Sequence, residues 1–567
     1  MAAKISSHPR AACGFSDAAA QVRAYHQRTK HMPGHYAPGP GYMDWANQPD
    51  PFRRFSGAPT VVLPLVRDDG TPPYDALFQT KGTPPRPLTA ESLGIFLELS
   101  LGLTAWKEFQ GTRWSLRSNP SSGNLHPTEG YVVLPALAVV SDRPGVYHYA
   151  PYEHTLAQRC VLGEAAWGAF AAGLPAGTFL VGLTSVHWRE AWKYGERAYR
   201  YCQHDMGHAL GAMCFAGAAL GWRMALLSAL SDAEVAALLG VDRATDFTGV
   251  EAEHPGLIAA VVTDPAAAAP RALAEGAIAA VRAGHWTGSA NRLSPERIDW
   301  TAISAVEDAT VKRSTALLPL RGLATSGVPS PRPTRGVSRA AEIIRQRRSA
   351  VDMDGRTGLS LDSFFGMLAR TLPDRPHSPW TAIDFPARIL LSLFVHRIDG
   401  LSPGLYVLMR DESRLDAFRA ACHDGFAWKR VEASAMPLYA LALGDCRQAA
   451  AHASCFQAIA GDGAFSLGMV ADFMRTLEED GAWAYRRLFW ETGLIGQVLY
   501  LEAEAAGVRS TGMGCYFDDF LHQLLDINLA EDAWQSLYHF TVGGAVEDKR
   551  LTTLPAYGHL SRAKLAV

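Results

Sequence analysis

The sequence contains a long pattern that occurs twice at a constant spacing. Ala198-Tyr199-Arg200 returns as Ala484-Tyr485-Arg486, and the same offset of 286 positions relates further identical residues without a gap: Gly207 and Gly493, Gly221 and Gly507, Arg223 and Arg509, and Asp232 and Asp518. A second block matches residues 144–147 with 403–406, and a weaker third block matches 25–28 with 344–347. Because three blocks recur in the same order, we interpret the chain as a diverged duplication whose halves share one layout.

Each half shows the same succession of patterns: a basic helix-like segment, a polar loop with strand-like runs, a long segment without proline, and a last strand-like run. In the first half the long segment is residues 197–222, where Gly207 and Gly211 share one helical face and would allow a second helix to approach closely. Residues 321–338 are rich in Pro, Ser and Gly, as linkers are. We predict a first domain at 1–310 with an N-terminal extension, a linker at 311–338, and a second domain at 339–567.

The composition argues against several classes of protein. The 567 residues are 48% hydrophobic, and a net charge of −3 offers no basic surface for nucleic acid. The eight cysteines form no CxxC pair, which is typical of thiols in a reducing compartment. The first residues lack a signal-peptide pattern, and the longest apolar run, 209–222, is too short to cross a bilayer. We therefore expect a cytoplasmic protein without a membrane or nucleic-acid partner.

The segment from Pro120 to Pro127 packs two prolines, two serines, a glycine and an asparagine ahead of an apolar run. Proline fixes φ, and Gly123 lets another group approach the backbone closely. The serine and asparagine side chains offer short donors and acceptors to a planar ligand with polar edges. Ordinary turns have the same composition. The residues alone leave both interpretations open, a turn or a ligand-binding loop.

This loop resembles the flavin-binding segment of the nitroreductase superfamily. Together with the following His126-Pro127, it is most similar to the azoline-oxidising branch, the SagB/McbC/ThcOx-type dehydrogenases. Members of the superfamily are α+β homodimers whose central helices form the dimer core, and each FMN lies at the subunit interface. The resemblance therefore implies an α+β chain in which two tandem nitroreductase-like domains form an intramolecular pseudo-dimer.

The parts of the family's flavin site occur in different halves of this chain. In the family, one subunit contributes the Pro-Ser-Ser-x-Asn loop, and the other contributes an Arg-Arg-Ser, a late glycine-rich loop and C-terminal basic residues. The resemblance implies that FMN is bound by Arg117, Pro120, Ser121, Ser122, Asn124, Arg347, Arg348, Ser349, Thr511, Gly512, Met513, Gly514, Lys549 and Arg550. Arginine and lysine suit a phosphate dianion, and glycine exposes backbone N–H groups.

The counterparts of these parts have been lost. Thr29-Lys30 takes the place of Arg348-Ser349, residues 224–228 contain no glycine where 510–514 contain two, and residues 379–383 replace the polar loop. The intact parts are therefore complementary and assemble one complete site. We predict one FMN per chain.

Lys193-Tyr194 resembles the pair that azoline dehydrogenases use in catalysis. Oxidation of an azoline to an azole sends a hydride to flavin N5 and a proton to a neighbouring base, and a desolvated lysine can have a pKa suited to that role. Tyr194 could share the proton or position the substrate. The alternative is a solvated lysine beside a packed tyrosine. The second half has Glu479-Asp480 at this position and so lacks the pair.

The histidines allow further interpretations. His126 follows the polar loop and could line a substrate pocket or be a structural histidine with satisfied hydrogen bonds. His26, His31 and His35 lie close together in the sequence, but no cysteine or carboxylate spacing of a metal site accompanies them, so we expect no metal. Their surroundings, rich in proline, glycine and aromatic residues, predict an ordered cap that shapes the substrate entrance.

Three functional hypotheses follow. The first is an FMN-dependent, SagB-type dehydrogenase that oxidises a peptide or a peptide-derived azoline, with O2 as final acceptor and with a cyclodehydratase-type protein as candidate partner. The second is a flavin oxidoreductase acting on another small metabolite of the nitro, quinone or amine type. The third is a degenerate scaffold partner in a peptide-modification complex, which would bind no FMN.

Overall fold

The computed structural model describes residues 17–65, 69–79, 83–264, 266–317, 338–373 and 376–561. Most of the predicted linker, residues 318–337, therefore lies outside the described residues. The helices are α1 (Asp17–Arg28), α2 (Ala90–Leu101), α3 (Glu164–Ala171), α4 (His187–Tyr194), α5 (Ala198–Ala219), α6 (Asp232–Leu239), α7 (Ala277–Arg282), α8 (Thr301–Ala309), α9 (Ala340–Gln346), α10 (Leu361–Arg370), α11 (Leu415–Ala421), α12 (Arg447–Ala453), α13 (Ile459–Asp462), α14 (Phe473–Asp480), α15 (Ala484–Ala505) and α16 (Asp518–Leu525).

The strands form two large antiparallel sheets and two small ones. They are β1 (Phe55–Ser56), β2 (Thr60–Val62), β3 (Leu103–Phe109), β4 (Thr112–Arg117), β5 (Thr128–Leu134), β6 (Gly145–Ala150), β7 (Thr155–Val161), β8 (Thr178–Ser185), β9 (Arg223–Leu226), β10 (His254–Val262), β11 (His285–Trp286), β12 (Ser289–Ala290), β13 (Ile389–Val395), β14 (Gly404–Leu408), β15 (Lys429–Arg430), β16 (Leu438–Leu443), β17 (Phe465–Asp472), β18 (Arg509–Met513), β19 (Trp534–Gly543) and β20 (Thr552–Pro555).

The two large sheets have the same topology. The first runs β7-β6-β5-β8-β10-β9 and the second runs β16-β14-β13-β17-β19-β18, with β11 and β2 added beside β7 and β15 added beside β16. The strands β8 and β17 lie inside these sheets and are buried along their whole length, which explains their nearly continuous apolar sequences. The halves therefore share one α+β fold, as the repeated blocks predict.

The long helices α5 and α15 cross at the centre of the molecule and are each 22 residues long. At the crossing a Cβ on Gly207 would overlap the backbone of Trp490, and a Cβ on Gly493 would overlap the backbone of His204. At the repeat spacing, Gly493 corresponds to Gly207 and Trp490 corresponds to His204. The two contacts therefore exchange under a two-fold rotation, as contacts do in an isologous dimer interface. This arrangement matches the predicted internal pseudo-dimer.

Each half also sends segments onto the other. In α1, Arg23 pairs with Asp532 at 3.0 Å, and in α9, Arg345 pairs with Glu98 at 2.9 Å. The C-terminal strand β20 completes a three-stranded sheet with β3 and β4 of the first half. The halves are therefore interlocked rather than merely in contact. The domain limits at 310 and 339 stay a prediction.

Among the described residues, no helix has the length and apolar character needed to cross a membrane.

The crossing predicts a large cost for a side chain at its centre. We expect Gly207→Leu to lower the free energy of unfolding by about 3 kcal/mol, because overpacking at a backbone contact forces the helices apart. Urea unfolding followed by circular dichroism measures this change. The matched control is Gly168→Ala, at an exposed helical position with open space around it, which should raise stability by about 0.5–1 kcal/mol. Unchanged stability in Gly207→Leu would contradict the close crossing.

Candidate active site

A cavity of about 500 Å³ lies between the two halves. Its wall is built from the polar loop, α4 and α5 of the first half and from residues 347–351, β18, residues 545–548 and Leu551 of the second. The structure brings most of the predicted site residues to this wall: Arg117, Pro120, Ser121, Ser122, Asn124, His126, Tyr194, Arg347, Arg348, Ser349, Thr511, Gly512, Met513 and Gly514. Residues more than two hundred positions apart in the sequence thus meet at one place.

The polar loop is held in shape by its own hydrogen bonds. Ser121 Oγ accepts a hydrogen bond from the His126 backbone N–H at 2.8 Å, and Asn124 Nδ2 donates to the Ser115 carbonyl at 2.9 Å. Gly123, Asn124 and His126 all have positive φ, a region that glycine and asparagine enter most readily. The loop is therefore a specific turn that presents its backbone to the cavity, and β5 begins directly after it.

The second half supplies the opposite wall. Ser349 forms an isolated bridge with Ser510, and the Tyr500 hydroxyl lies 2.9 Å from both Ser349 Oγ and the Gly512 backbone nitrogen. A Cβ on Gly512 would overlap the Tyr538 hydroxyl, so this position needs a glycine. Backbone groups of β18 can therefore approach a ligand without an intervening side chain.

One part of the wall is strongly basic. Arg347, Arg348 and Arg509 line it together with Arg117 and Lys107. Burial and the neighbouring charges of Arg347 and Arg509 lower the pKa of Arg348 to about 10, and burial lowers the pKa of Arg117 to about 10. Cations that depress one another's pKa would be stabilised by an anion between them.

Several buried polar atoms of the wall have no hydrogen-bond partner among the described residues. They are Arg117 Nε, Asn119 Oδ1, His126 Nδ1 and Arg347 Nε. Burying such groups without a partner costs roughly 1–3 kcal/mol each. Donors and acceptors that are both unsatisfied, next to a basic cluster, fit a ligand with a polar ring system and a phosphate. This donor set suits FMN.

The predicted catalytic pair lies beside the polar loop. A Cβ on Gly123 would be 2.6 Å from the Tyr194 hydroxyl and 3.2 Å from Lys193 Nζ. The Tyr194 side chain lines the cavity, whereas Lys193 does not and lies with its Nζ 5.2 Å from the centre of the Tyr194 ring. Burial and the charge of Glu190 hold the pKa of Tyr194 well above its usual value, so its hydroxyl stays protonated.

The segment predicted as a cap is hydrogen-bonded to residues on either side of this pair. The Pro38 carbonyl accepts a hydrogen bond from the Glu196 backbone N–H at 3.0 Å, and the Asp44 carbonyl accepts one from Trp192 Nε1 at 3.0 Å. Both acceptors belong to the proline- and glycine-rich segment after α1. This segment therefore packs against the helix that carries Lys193 and Tyr194.

Asp205 is a cavity residue that sequence reasoning missed. It accepts hydrogen bonds from the Ser122 backbone N–H and hydroxyl at 3.1 and 3.2 Å, and burial raises its pKa to about 7. Burial and Asp205 together hold the pKa of neighbouring Glu190 well above its usual value. A carboxyl group that titrates near neutrality is suited to accept or donate a proton. One signal was present in the sequence: Asp205 is an acidic residue within the long segment predicted to form the central helix.

Other positions differ from the sequence prediction. Lys549 and Arg550 do not line the cavity, although their neighbours Asp548 and Leu551 do. The Arg550 side chain is exposed, pairs with Asp548 at 2.8 Å and lies over Phe109. The basic residues that reach the cavity instead are Lys107 and Arg509. Lys107 Nζ donates to Thr553 Oγ1 at 2.8 Å, so strand β20 of the second half positions this lysine. No local sequence pattern reveals such a long-range contact.

The equivalent place on the other side of the crossing is filled. Its 3-10 turn, Trp380–Ala382, packs directly against β9, and Ser228 donates a hydrogen bond to Asp384 at 2.5 Å. Glu491 stands at the position of Asp205, but it is buried in a pair with Arg410. The side without the glycines and the polar loop therefore has a packed turn and a buried ion pair at this place.

The histidines near the N terminus do not gather into a metal-like group. His26 is buried against Tyr485 and Gln535. The described residues contain one such group elsewhere, His187, His254 and Glu307, whose potential ligand atoms lie within 4.8 Å of one another. The two imidazole rings stack at 4.0 Å, and His254 is hydrogen-bonded to Glu307. None of these three residues lines the cavity between the halves.

The fold and the cavity define the class of protein: two like-folded α+β halves with a polar cavity at their interface. The model of the Nitroreductase family matches residues 85–250 and 404–544, one stretch in each half and together more than half of the chain. The chain belongs to the nitroreductase family. Its two tandem nitroreductase-like domains confirm the predicted fold class, and the family identifies the chain as an oxidoreductase.

A solved structure shares this fold over most of the chain. A candidate nitroreductase from Anabaena variabilis is 21% identical with a TM-score of 0.64, covering 93% of this chain and 99% of its own. An FMN-dependent nitroreductase from Clostridium difficile is 10% identical with a TM-score of 0.21, and the match covers 39% of this chain and 93% of that chain. The E. coli microcin synthetase McbBCD complex with truncated pro-MccB17 is 15% identical with a TM-score of 0.27, and the match covers 42% of this chain and 79% of that chain. No curated protein matches the chain.

Asp205 predicts a pH-dependent stability. Its pKa rises from 3.8 to about 7 on folding. The protonated carboxyl therefore stabilises the fold fully below about pH 4, and this contribution is lost as the pH rises through about 7. We expect the wild type to lose on the order of 4 kcal/mol relative to Asp205→Asn over that range. Unfolding of both proteins in urea at each pH measures the difference.

The control for this comparison is Asp299→Asn, at a side chain that is 80% exposed. Its stability should follow the wild type at every pH. Parallel pH curves for the wild type and Asp205→Asn would show that Asp205 is not a strained buried carboxyl.

Proposed function

We propose that the chain is an FMN-dependent oxidoreductase that binds one FMN in the cavity between its halves. The observation that carries this proposal is the joint wall, in which the polar loop of one half faces the arginines and glycines of the other. The volume of about 500 Å³ is typical of a cofactor site. Arg347, Arg348 and Arg509 would hold the phosphate, and the loop and β18 would hold the ring edges.

The proposal of a single FMN rests on the contrast between the two equivalent places. One is open and lined by unsatisfied polar groups, and the other is closed by Trp380 and by the Arg410–Glu491 pair. A tandem duplication explains this contrast, because each copy of the site is free to change independently.

We further propose that the reaction is the oxidation of an azoline to an azole, in the manner of the SagB-type dehydrogenases. Bound FMN would accept the hydride and pass its electrons to O2. The chain must then take up the proton. The Tyr194 side chain is the member of the pair that lines the cavity, and Lys193, with its Nζ 5.2 Å from the centre of the Tyr194 ring, is the base that would receive the proton. Asp205 is a second acidic group on the same wall.

A peptide substrate fits the surroundings of the cavity. Gln457 lines it, and the adjacent Phe456 is 60% exposed. The ring of Phe456 and that of Tyr36, which is 50% exposed, both pack on Phe517. Exposed aromatic rings beside a cavity are suited to contact an extended substrate. A cyclodehydratase-type partner that supplies the azoline belongs to the same proposal.

The cofactor proposal predicts different effects for an arginine that lines the cavity and for one that does not. Arg348→Ala should weaken FMN binding about tenfold to hundredfold, because it removes a charged group that faces the cavity. Arg550→Ala, which lies outside the cavity, should bind FMN as the wild type does. Titration calorimetry gives both affinity and stoichiometry. Two FMN per chain, or equal losses in both variants, would refute the single split site.

The catalytic proposal predicts retained flavin with lost turnover. Lys193→Ala and Tyr194→Phe should each slow azole formation about a hundredfold or more, since general-base catalysis contributes that much. The matched control is Glu479→Ala, at the equivalent position of the second half, which should turn over normally. The assay follows loss of two hydrogens from a synthetic azoline peptide by mass spectrometry. Wild-type rates in Lys193→Ala would remove this residue from the mechanism.

Assays of the same protein also test the second hypothesis, a flavin oxidoreductase that acts on another small metabolite. Rapid consumption of NADH or NADPH with a nitro compound or a quinone, together with no azole formation, would favour a reductase acting on small metabolites. Absence of FMN uptake would favour the scaffold hypothesis.

A further inference from the structure

Two thiols meet at the wall of the cavity on the side of the second half. Cys515 directly follows Gly514 and lines the cavity, and Cys455 lies in the loop after α12 with its Sγ 2.8 Å from Cys515 Sγ. Both side chains are partly exposed, whereas other cysteines are buried: Cys160, Cys202, Cys214 and Cys422. The pair is therefore accessible to small molecules that enter the cavity.

The surrounding loops hold the pair together. Gln457 Nε2 donates to the Ser454 carbonyl at 2.7 Å and to the Cys515 carbonyl at 2.9 Å, which ties the two segments to each other. Cys455 and Phe456 both have positive φ. Non-glycine residues persist in this region only where their surroundings impose it, and such positions are common at functional sites. The loop is thus held in an unfavourable shape that directs one thiol at the other.

The electrostatic surroundings favour a thiolate at one member of the pair. The hydrogen bond with Cys455 lowers the pKa of Cys515, and the Arg197 guanidinium lowers it further, while the pKa of Cys455 is raised. Cys446, which is also partly exposed, has its pKa raised by burial to about 11. Since the thiolate is the nucleophile, Cys515 should be the most reactive thiol among these three.

We propose that Cys515 and Cys455 form a peroxide-reducing dithiol, with Cys515 as the attacking thiol and Cys455 as the resolving thiol. The Cys515 sulfur attacks one oxygen of hydrogen peroxide, the O–O bond breaks, and the leaving hydroxide takes a proton to become water. Cys515 is then a sulfenic acid. The Cys455 sulfur attacks it, an S–S bond forms, and a second water leaves. The two thiols lose two electrons and two protons, and one peroxide becomes two waters.

This proposal rests on the proposed function in one respect. With O2 as final acceptor, hydrogen peroxide would be released into the cavity whose wall contains Cys515. The thiol chemistry itself needs neither flavin turnover nor an azoline. It can therefore be tested separately from the proposed oxidation.

The first experiment adds one equivalent of hydrogen peroxide to the full-length, pre-reduced protein without substrate. We expect the loss of two alkylatable thiols, an intact mass lower by two hydrogen atoms, and a peptide map that joins Cys455 to Cys515. In Cys455→Ser, the sulfenic acid at Cys515 should persist and be trapped by dimedone. The control Cys446→Ser should form the same disulfide as the wild type.

A competition experiment measures reactivity directly. With limiting iodoacetamide, Cys515 should be alkylated about tenfold faster than Cys446, because more of it is thiolate. Equal rates, or alkylation of both Cys455 and Cys515 after peroxide treatment, would overturn the proposal.

A second arm runs azoline turnover in air and maps the same disulfide. A disulfide in the peroxide arm supports the dithiol, whatever the turnover arm shows. A missing disulfide in the peroxide arm overturns it even where FMN binding and azole formation are intact. Failure of the dithiol and failure of the oxidase function are thus separate results.

Discussion

The contact between α5 and α15 determines where everything else in this molecule lies. The two backbones touch at Gly207 and Gly493, where no side chain fits on either helix. This close approach sets the two sheets on either side of one pseudo-two-fold axis and brings β18 of the second half opposite the polar loop of the first. A cavity between the halves is therefore a consequence of the crossing, and its residues have to come from both ends of the chain.

The same axis creates a second, equivalent place, but the residues at the two places differ. A homodimer with identical subunits cannot change one interface site without changing the other. In a single chain each position is free, and Glu491 with Arg410 now fills the place that corresponds to Asp205 and its surroundings. On that side Glu491 is ion-paired with Arg410, and Trp380 is buried. Covalent linkage thus allows one side to be structural while the other keeps its polarity.

The sequence predicts the parts that depend on local pattern or on the repeat. The long helix expected at 197–222 spans Ala198–Ala219, and its counterpart begins and ends 286 residues later. Glycines that matched across the repeat mark the crossing. The prediction fails where tertiary contacts decide: Lys107 reaches the cavity through β20, and Arg550 turns away to Asp548. Asp205 was missed because a residue's hydrogen-bond partners and burial cannot be read from its spacing.

The polarity of the open cavity is itself an argument for a ligand. Arginines whose charges repel one another lie at one part of the wall. Asp205, whose pKa is raised by burial, lies at another. Crowded arginine charges and the ionised form of Asp205 both lower the stability of the folded chain, whereas at the counterpart Glu491 is paired with Arg410. Such unfavourable groups persist where function requires them. An anion among the arginines and a proton exchanged near Asp205 and Tyr194 would each relieve one of these costs, and the proposed FMN with an oxidisable substrate would provide both.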